Sequence, residues 1–224
     1  MPGILTKNDY AYTELRSRIL SGELAAGGVI PQGELAHELG LSTTPLREAI
    51  RRLTAEGLVE LSAHRDARVA PLSAEEGRHL HEVRERIDPF AAALAAERRN
   101  QQDLGDIERA LDRLVPIRAD SSVEALLKHR DFHRAVYQAS RNHVLVDILE
   151  RLWDKADRYR LLGLRAGGPD ERSDEDVARV DAEHRAIFAA VSAGDPVEAE
   201  LVTRMHIRGS LVRRAISALE AVAG

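Results

Sequence analysis

Apolar residues recur at helical spacing along most of the chain, and one short region departs from this pattern. In the N-terminal part, the spacing predicts helices over about residues 9–21, 31–39 and 45–55. Residues 58–61 and 67–70 are instead typical of two short strands around the polar loop SAHRD. We therefore expect three helices followed by a hairpin in the N-terminal part.

The third predicted helix begins in the stretch STTPLREAIRRL. A residue that precedes a proline is disfavoured in a helix, so Thr44 is the predicted N-cap and Pro45 the first helical residue, with Ser42 as the alternative cap. Two helices joined by a short turn with a glycine form a helix-turn-helix, whose second helix lies in the DNA major groove. With the hairpin as a wing, the pattern predicts a winged helix-turn-helix.

Exposed polar side chains on this unit are candidates for contacts with double-stranded operator DNA. We expect Arg47 to bind a guanine edge and Thr43 and Thr44 to contact phosphate or a thymine methyl group. Phosphate contacts are predicted for the remaining basic side chains, Arg51, Arg65 and Arg68. The alternative is a small helical domain whose threonines and arginines are merely solvated.

From Ser73 onward the pattern is helical almost to the end. Breaks near Asn100, 116–122, 140–142, 167–169 and 194–196 divide this part into six or seven helices, and Asn142 is a predicted N-cap. The predicted fold class is therefore mainly α, with a winged helix-turn-helix over residues 1–72 and an all-α antiparallel helical bundle over residues 73–224.

Composition narrows the functional classes. Of the 224 residues, 44% are hydrophobic and 31% are charged, and the chain has no cysteine, so disulfides and thiolate metal sites are excluded. Neither a long apolar run nor a secretory signal is evident, which predicts a cytoplasmic protein that does not bind membranes. The net charge is −5, and residues 1–75 are also slightly acidic, with 8 Lys and Arg against 10 Asp and Glu. Positive charge is therefore local, in residues 42–52 with Arg47, Arg51 and Arg52 and in residues 62–72 with Arg65 and Arg68.

Histidines occupy inward positions on three predicted helices. His129 and His133 share an apolar stripe on the helix over about 122–140, His184 lies on the stripe of the helix over about 174–193, and His206 follows on a later helix. Each alone is typical of a hydrogen-bonded core histidine. Several neutral imidazoles that converge are costly to bury without a shared partner, and a divalent metal is the natural one.

The N-terminal part resembles the GntR family of bacterial transcription regulators, over about residues 11–73. The resemblance rests on LRSRILSGELAAGG, ELAHELGLSTTPLREAIRRLTAEGLVEL and ARVAPLS. It implies an operator-binding homodimer. Two positions depart from the family pattern, since Thr43 stands where an arginine is usual and Asp66 where the wing usually has glycine, and both changes weaken attraction to phosphate.

The C-terminal part resembles the FCD effector domain of FadR-like GntR regulators, over about residues 75–218, through HRDFHRAVYQASRNHVL, DAEHRAIFAAVSAGD and MHIRGSL. The resemblance implies a divalent metal, zinc or nickel, at His129, His133, His184 and His206. The metal-binding members have an aspartate where His129 stands, so His129 is a fourth ligand, or the site has three histidines, or it holds no metal. Arg84 matches an arginine of the family, and either binds a small carboxylate effector or pairs with Asp88 one helical turn away.

These observations predict a DNA-binding transcriptional regulator, not an enzyme, whose operator affinity responds to a small carboxylate effector. One alternative is a metal-dependent hydrolase that uses His133, His184 and His206 with an open coordination position for water. The other is a metal site that only stabilises the bundle. No general base is evident beside these histidines, which disfavours the hydrolase.

Overall fold

The computed structural model describes residues 6–61, 66–117, 123–165 and 173–223. The chain divides into two compact units, residues 1–72 and residues 73–224. Within the described ranges, no helix has both the length and the hydropathy that crossing a bilayer requires.

The first unit is a three-helix core with a two-stranded hairpin. Its elements are α1 (Lys7–Leu20), α2 (Gln32–Glu38), α3 (Thr43–Ala55), β1 (Val59–Leu61) and β2 (Ala67–Val69). The strands pair antiparallel with Glu60 opposite Arg68. Leu15, Leu46 and Leu53 are buried between the helices, as the helical spacing of the apolar residues requires. This unit is a winged helix-turn-helix, as predicted.

The start of α3 differs from the prediction. Ser42 is the extended residue before the helix, with φ −75° and ψ 167°, and Thr43 is the first helical residue. Thr44 is therefore not the N-cap. Pro45 is accommodated as the third helical residue because the first N–H groups of a helix have no acceptor within it, so the missing N–H of proline costs no hydrogen bond.

The second unit contains seven helices in its described residues. They are α4 (Ala74–Arg98), α5 (Gln101–Asp112), α6 (Val123–Ala139), α7 (His143–Arg165), α8 (Asp174–Ala193), α9 (Pro196–Arg208) and α10 (Leu211–Ala223). Helix α4 packs against five others, namely α6 to α10. The break between α9 and α10, at Gly209 and Ser210, was not among the predicted breaks. This unit is the all-α bundle of the predicted fold class.

The long central helix α4 contains a buried proline, Pro89. Since proline has no N–H, the carbonyl of Glu85 one turn earlier lacks its helical donor. Arg204 of α9 donates to that carbonyl at 3.1 Å. The proline thus creates an acceptor that ties α4 to α9, and α9 is one of the helices that carry the histidines.

The turn between α6 and α7 has a residue in the left-handed region, Arg141, with φ 53°. The side-chain oxygen of Asn142 then accepts a hydrogen bond from the backbone N–H of Leu145 at 3.2 Å. Asn142 therefore caps the start of α7, as predicted.

Candidate metal centre and nucleic-acid interface

Four histidines meet inside the second unit. Helix α6 carries His129 and His133 one turn apart on its buried face, α8 contributes His184 and α9 contributes His206. Each offers a ring nitrogen, and these four nitrogens all lie within 4.8 Å of one another. The distances between ring centroids agree, at 4.6 Å for His184 and His206 and 5.0 Å for His133 and His206.

Aromatic side chains enclose this cluster. Phe132 lies edge-on to His133 and His184, with ring centroids 5.2 and 5.1 Å away. The ring of Trp153, from α7, is 5.0 Å from that of His133. The histidines are therefore held in a largely dry environment, where polar atoms need partners.

Burial sets the protonation of the imidazoles. It lowers the pKa of His133 and His129 well below the usual value, and it also lowers the pKa of His206. At neutral pH these rings are uncharged, which is the form that binds metals. The Nε2 atoms of His133 and His206 are buried and make no hydrogen bond within the described part of the chain. Such nitrogens fit a divalent metal.

A carboxylate orients His206. Its Nδ1 lies 2.9 Å from an oxygen of Glu183, and the other oxygen of Glu183 accepts from Arg179 at 2.5 Å. Since a carboxylate can only accept, His206 donates from Nδ1, and its Nε2 keeps the lone pair that a metal needs.

Arg160 is a further residue of the site, and the sequence analysis missed it. It lies on α7, only 2% of it is exposed, and its Nη1 is 3.0 Å from Nδ1 of His129. Its guanidinium also stacks over Trp153 at 3.9 Å. Burial, followed by the nearby positive charge of Arg84, lowers the pKa of Arg160 to about 9, so it is still charged at neutral pH. No local pattern marks this arginine among the many in the chain.

Arg84 is engaged within the core. Its Nη2 donates to Asp88 at 2.6 Å, and the same carboxylate oxygen accepts from the hydroxyl of Tyr137 at 2.7 Å. The guanidinium of Arg84 also stacks over the ring of Trp153, 4.4 Å from the ring centroid. The structure thus shows the helix-face pair that the sequence left open as the alternative to effector binding.

A cavity of about 320 Å³ opens beside the cluster. His129, His184, His206 and Arg160 form its polar wall, and Arg84 is not among its described lining residues. Apolar side chains also line it, namely Leu114, Val115, Ile117, Val177, Val180 and Leu211. Asp174, Asp181 and Glu183 also line it. A small anion with an apolar portion matches this arrangement.

On the first unit, the candidate DNA contacts at the start of α3 are exposed. Thr43, Thr44 and Arg47 all lie at its surface. Among the residues that the structure covers, Arg47 makes no hydrogen bond or ion pair, so its guanidinium is available to a base. Arg51 is exposed and paired with Glu48 at 2.8 Å, a surface contact of little energy that DNA can displace.

The wing supplies one described basic side chain. Arg68 is exposed on β2 and donates to the carbonyl of Gly27 at 3.2 Å. Arg65, the other predicted wing contact, lies outside the described residues. Arg52 stacks over Tyr12 of α1 at 3.6 Å, which gives it a packing role within the unit.

A winged helix-turn-helix joined to a helical bundle with a ligand-sized cavity defines a DNA-binding transcriptional regulator. Comparison with known proteins supports this, because residues 7–69 match the model for bacterial regulatory proteins of the gntR family and residues 79–209 match the FCD domain. The chain belongs to the GntR family, in the branch that carries an FCD domain.

Individual relatives match most of the length of the chain, and one solved structure shares its fold. The transcriptional repressor GlaR of Escherichia coli K12 is 28% identical over 201 residues, which cover 88% of this chain and 90% of GlaR. The regulator LutR of Bacillus subtilis 168 is 30% identical, over 84% of this chain and 92% of LutR. The solved structure of E. coli McbR/YncC has a TM-score of 0.77 at 22% identity and covers 99% of this chain and 100% of that one.

Proposed function

We propose that this protein binds operator DNA as a homodimer in the cytoplasm and that a small carboxylate, bound at a metal site in the second unit, sets its operator affinity. The observation that carries the proposal is the buried group of four histidines beside a cavity with a charged arginine. A buried polar cluster of this kind is unfavourable for stability alone, so its presence favours a ligand-binding role.

The histidines fit zinc or nickel, which prefer neutral imidazole ligands. His133, His184 and His206 would hold the ion, and His129 lies beside them. A bound divalent cation would supply positive charge to attract a carboxylate into the cavity. Glu183 orients His206, and the aromatic rings of Phe132 and Trp153 exclude water from the far side of the cluster.

DNA recognition is assigned to the exposed residues of the first unit. Arg47 would bind a guanine edge, Thr43 and Thr44 would contact phosphate or a thymine methyl group, and Arg51 would contact phosphate. Arg68 is placed to contact phosphate on the wing, and the same role is proposed for Arg65. Because the unit is small, two copies related by a two-fold axis are needed for high affinity.

An exposed apolar stripe on α9 supports the homodimer. Val197, Leu201 and Met205 recur every four residues along one face, and they are 76, 50 and 60% exposed. Apolar residues aligned in this way favour a second copy of the chain as the partner. Leu201→Glu should shift the protein to a monomer in analytical ultracentrifugation. Val144→Glu, at a similarly exposed apolar position on α7, should leave the dimer intact.

The proposed sensor and its two alternatives, a hydrolase and a purely structural metal site, differ in the effect of a small carboxylate. In a sensor it changes operator affinity, in a hydrolase a substrate is turned over, and in a structural site neither occurs. Glu183 is engaged with His206 and Arg179, and Asp181 accepts from Arg185, so neither carboxylate is available as a general base, which disfavours hydrolysis.

The test has two steps. Native mass spectrometry of the purified protein identifies the metal and any retained ligand, and sequencing of captured genomic fragments identifies the operator. Fluorescence anisotropy then measures operator affinity with and without a panel of carboxylates. We expect at least one to change the affinity by about 5- to 150-fold, the usual range of allosteric coupling. Unchanged affinity across the panel in the metal-loaded protein would contradict the proposal.

A further inference from the structure

The contact between Arg160 and His129 decides which nitrogen of His129 is protonated. Nη1 of Arg160 lies 3.0 Å from Nδ1 of His129. A guanidinium has donors and no acceptor, so Nδ1 must accept and cannot carry a proton. In a neutral imidazole the proton then lies on Nε2. His129 therefore has an N–H, not a lone pair, on its second nitrogen.

This tautomer is incompatible with metal coordination. A metal ligand needs a free lone pair, and the lone pair of His129 is already used by Arg160. The contrast with His206 is direct, because Glu183 accepts a proton from Nδ1 of that ring and leaves Nε2 available. A donor, Arg160, thus removes the lone pair of His129 from metal binding, whereas an acceptor, Glu183, leaves the lone pair of His206 available for it.

We infer that His129 is not a metal ligand and that His129 and Arg160 together form the anion-binding side of a three-histidine centre. This rests on the proposed metal site and deepens it. With His133, His184 and His206 as ligands, a fourth position stays open. The Nε2–H of His129 and the guanidinium of Arg160 are hydrogen-bond donors, and both residues line the cavity that His184 and His206 also line.

The cavity also limits the class of anion. Aliphatic side chains from the segment after α5, from α8 and from the start of α10 line much of the cavity, together with the carboxylates of Asp174, Asp181 and Glu183. These carboxylates disfavour a second negative charge on a bound ligand. The ligand class is therefore a monocarboxylate with an apolar portion, in preference to a dicarboxylate.

Nitrogen NMR of the histidine rings tests the tautomer. In zinc-loaded protein labelled with 15N-histidine, we expect the ring of His129 to be protonated at Nε2 and unprotonated at Nδ1. Assignment follows from the signals that disappear in His129→Ala. A ring of His129 that is protonated at Nδ1, or whose Nε2 is bound to zinc, would overturn the inference.

Cobalt titration separates ligands from neighbours. Followed by the absorption of bound Co²⁺, His133→Ala should lose more than about 100-fold in affinity, whereas His129→Ala should lose less than about 10-fold, the low end for an outer contact. If both variants lost the same amount of Co²⁺ affinity, His129 would be a metal ligand. That result would overturn this inference and leave the proposed metal site intact. A wild-type protein that binds no Co²⁺ would overturn the proposed metal site and this inference with it.

Two probe anions complete the test, with the shift of the Co²⁺ spectrum as the readout. Hexanoate should bind the wild-type protein at least about 10-fold more tightly than adipate does, because only adipate brings a second negative charge toward the carboxylates of the cavity. Arg160→Gln should weaken hexanoate about 10- to 100-fold, the value of a charge-assisted hydrogen bond, while Co²⁺ affinity stays within about 10-fold. Tighter adipate binding, or unchanged hexanoate binding in Arg160→Gln, would contradict the assigned anion site.

Discussion

The two units place their functional side chains in opposite settings. In the first unit, Thr43, Thr44, Arg47 and Arg51 follow one another along α3 and are exposed. In the second unit, the histidines and Arg160 come from four helices and are almost fully buried. DNA recognition therefore depends on side chains that contribute little to the fold, whereas the candidate metal site is part of the core of its unit.

This difference separates the effects of substitutions. Exposed side chains away from caps and ion-pair networks change stability by only a few tenths of a kcal/mol. Buried polar groups are coupled to packing and to one another. Changes to the exposed side chains of α3 should alter DNA binding alone, and changes to the histidine cluster should alter ligand binding and stability together.

Metal removal should have the largest effect. At a metal concentration about 1,000-fold above Kd, binding to the folded state stabilises a protein by about 4 kcal/mol. Zinc should therefore raise the unfolding temperature of the wild-type protein strongly, and a chelator should reverse the shift. His133→Ala is the matched variant and should not respond. The comparison between the units fails if His133→Ala is stabilised as much as the wild type.

Loss of the base contact by Arg47 should come next. Arg47→Ala removes roughly 1 to 3 kcal/mol of discrimination in each half-site. Anisotropy should show weak, unspecific binding to the operator, and thermal unfolding should match the wild type within about 0.5 kcal/mol. A large loss of stability in Arg47→Ala would show that this side chain also belongs to the fold.

Acid should destabilise the metal-free protein. Burial lowers the pKa of His129, His133 and His206 in the folded state, so below a pH of about 6.5 the unfolded chain binds protons that the folded chain does not. The free energy of unfolding should fall from neutral pH downward, by up to about 1.4 kcal/mol per pH unit for each imidazole. Urea titrations between about pH 7.5 and 5.5 measure it, and His133→Ala should have a shallower slope. A pH-independent free energy would contradict this.

The smallest effect is expected for Arg51→Ala. If this side chain contacts phosphate, its loss weakens binding to all sequences alike and lowers the salt slope of binding by about one for each contact. Because the described partner of Arg51 is the exposed Glu48, Glu48→Gln is the matched control and should not lower the slope. Equal slopes for wild type and Arg51→Ala would remove Arg51 from the interface.

Local patterns were sufficient for most of the elements and for the inward histidines. Helical periodicity depends on neighbours three and four residues away, so the stripe with His129 and His133 on α6 was predictable from sequence. Capping was less certain, since a proline in the first turn permits either start for α3, and the structure chose Ser42 over Thr44. The break at Gly209 was missed because neither proline nor a polar cluster marks it.

The sequence by itself determined the class of each unit, the exposed face of α3 and the set of inward histidines, because each depends on short-range spacing. Only the tertiary structure decided that Arg84 pairs with Asp88 while Arg160 reaches His129. Arg84 lies on α4 and Arg160 lies on α7. Which of the two arginines reaches His129 of α6 depends on how these three helices pack. A contact between helices distant in sequence leaves no periodic pattern in either one, so the partner that sets the tautomer of His129 is visible only after folding.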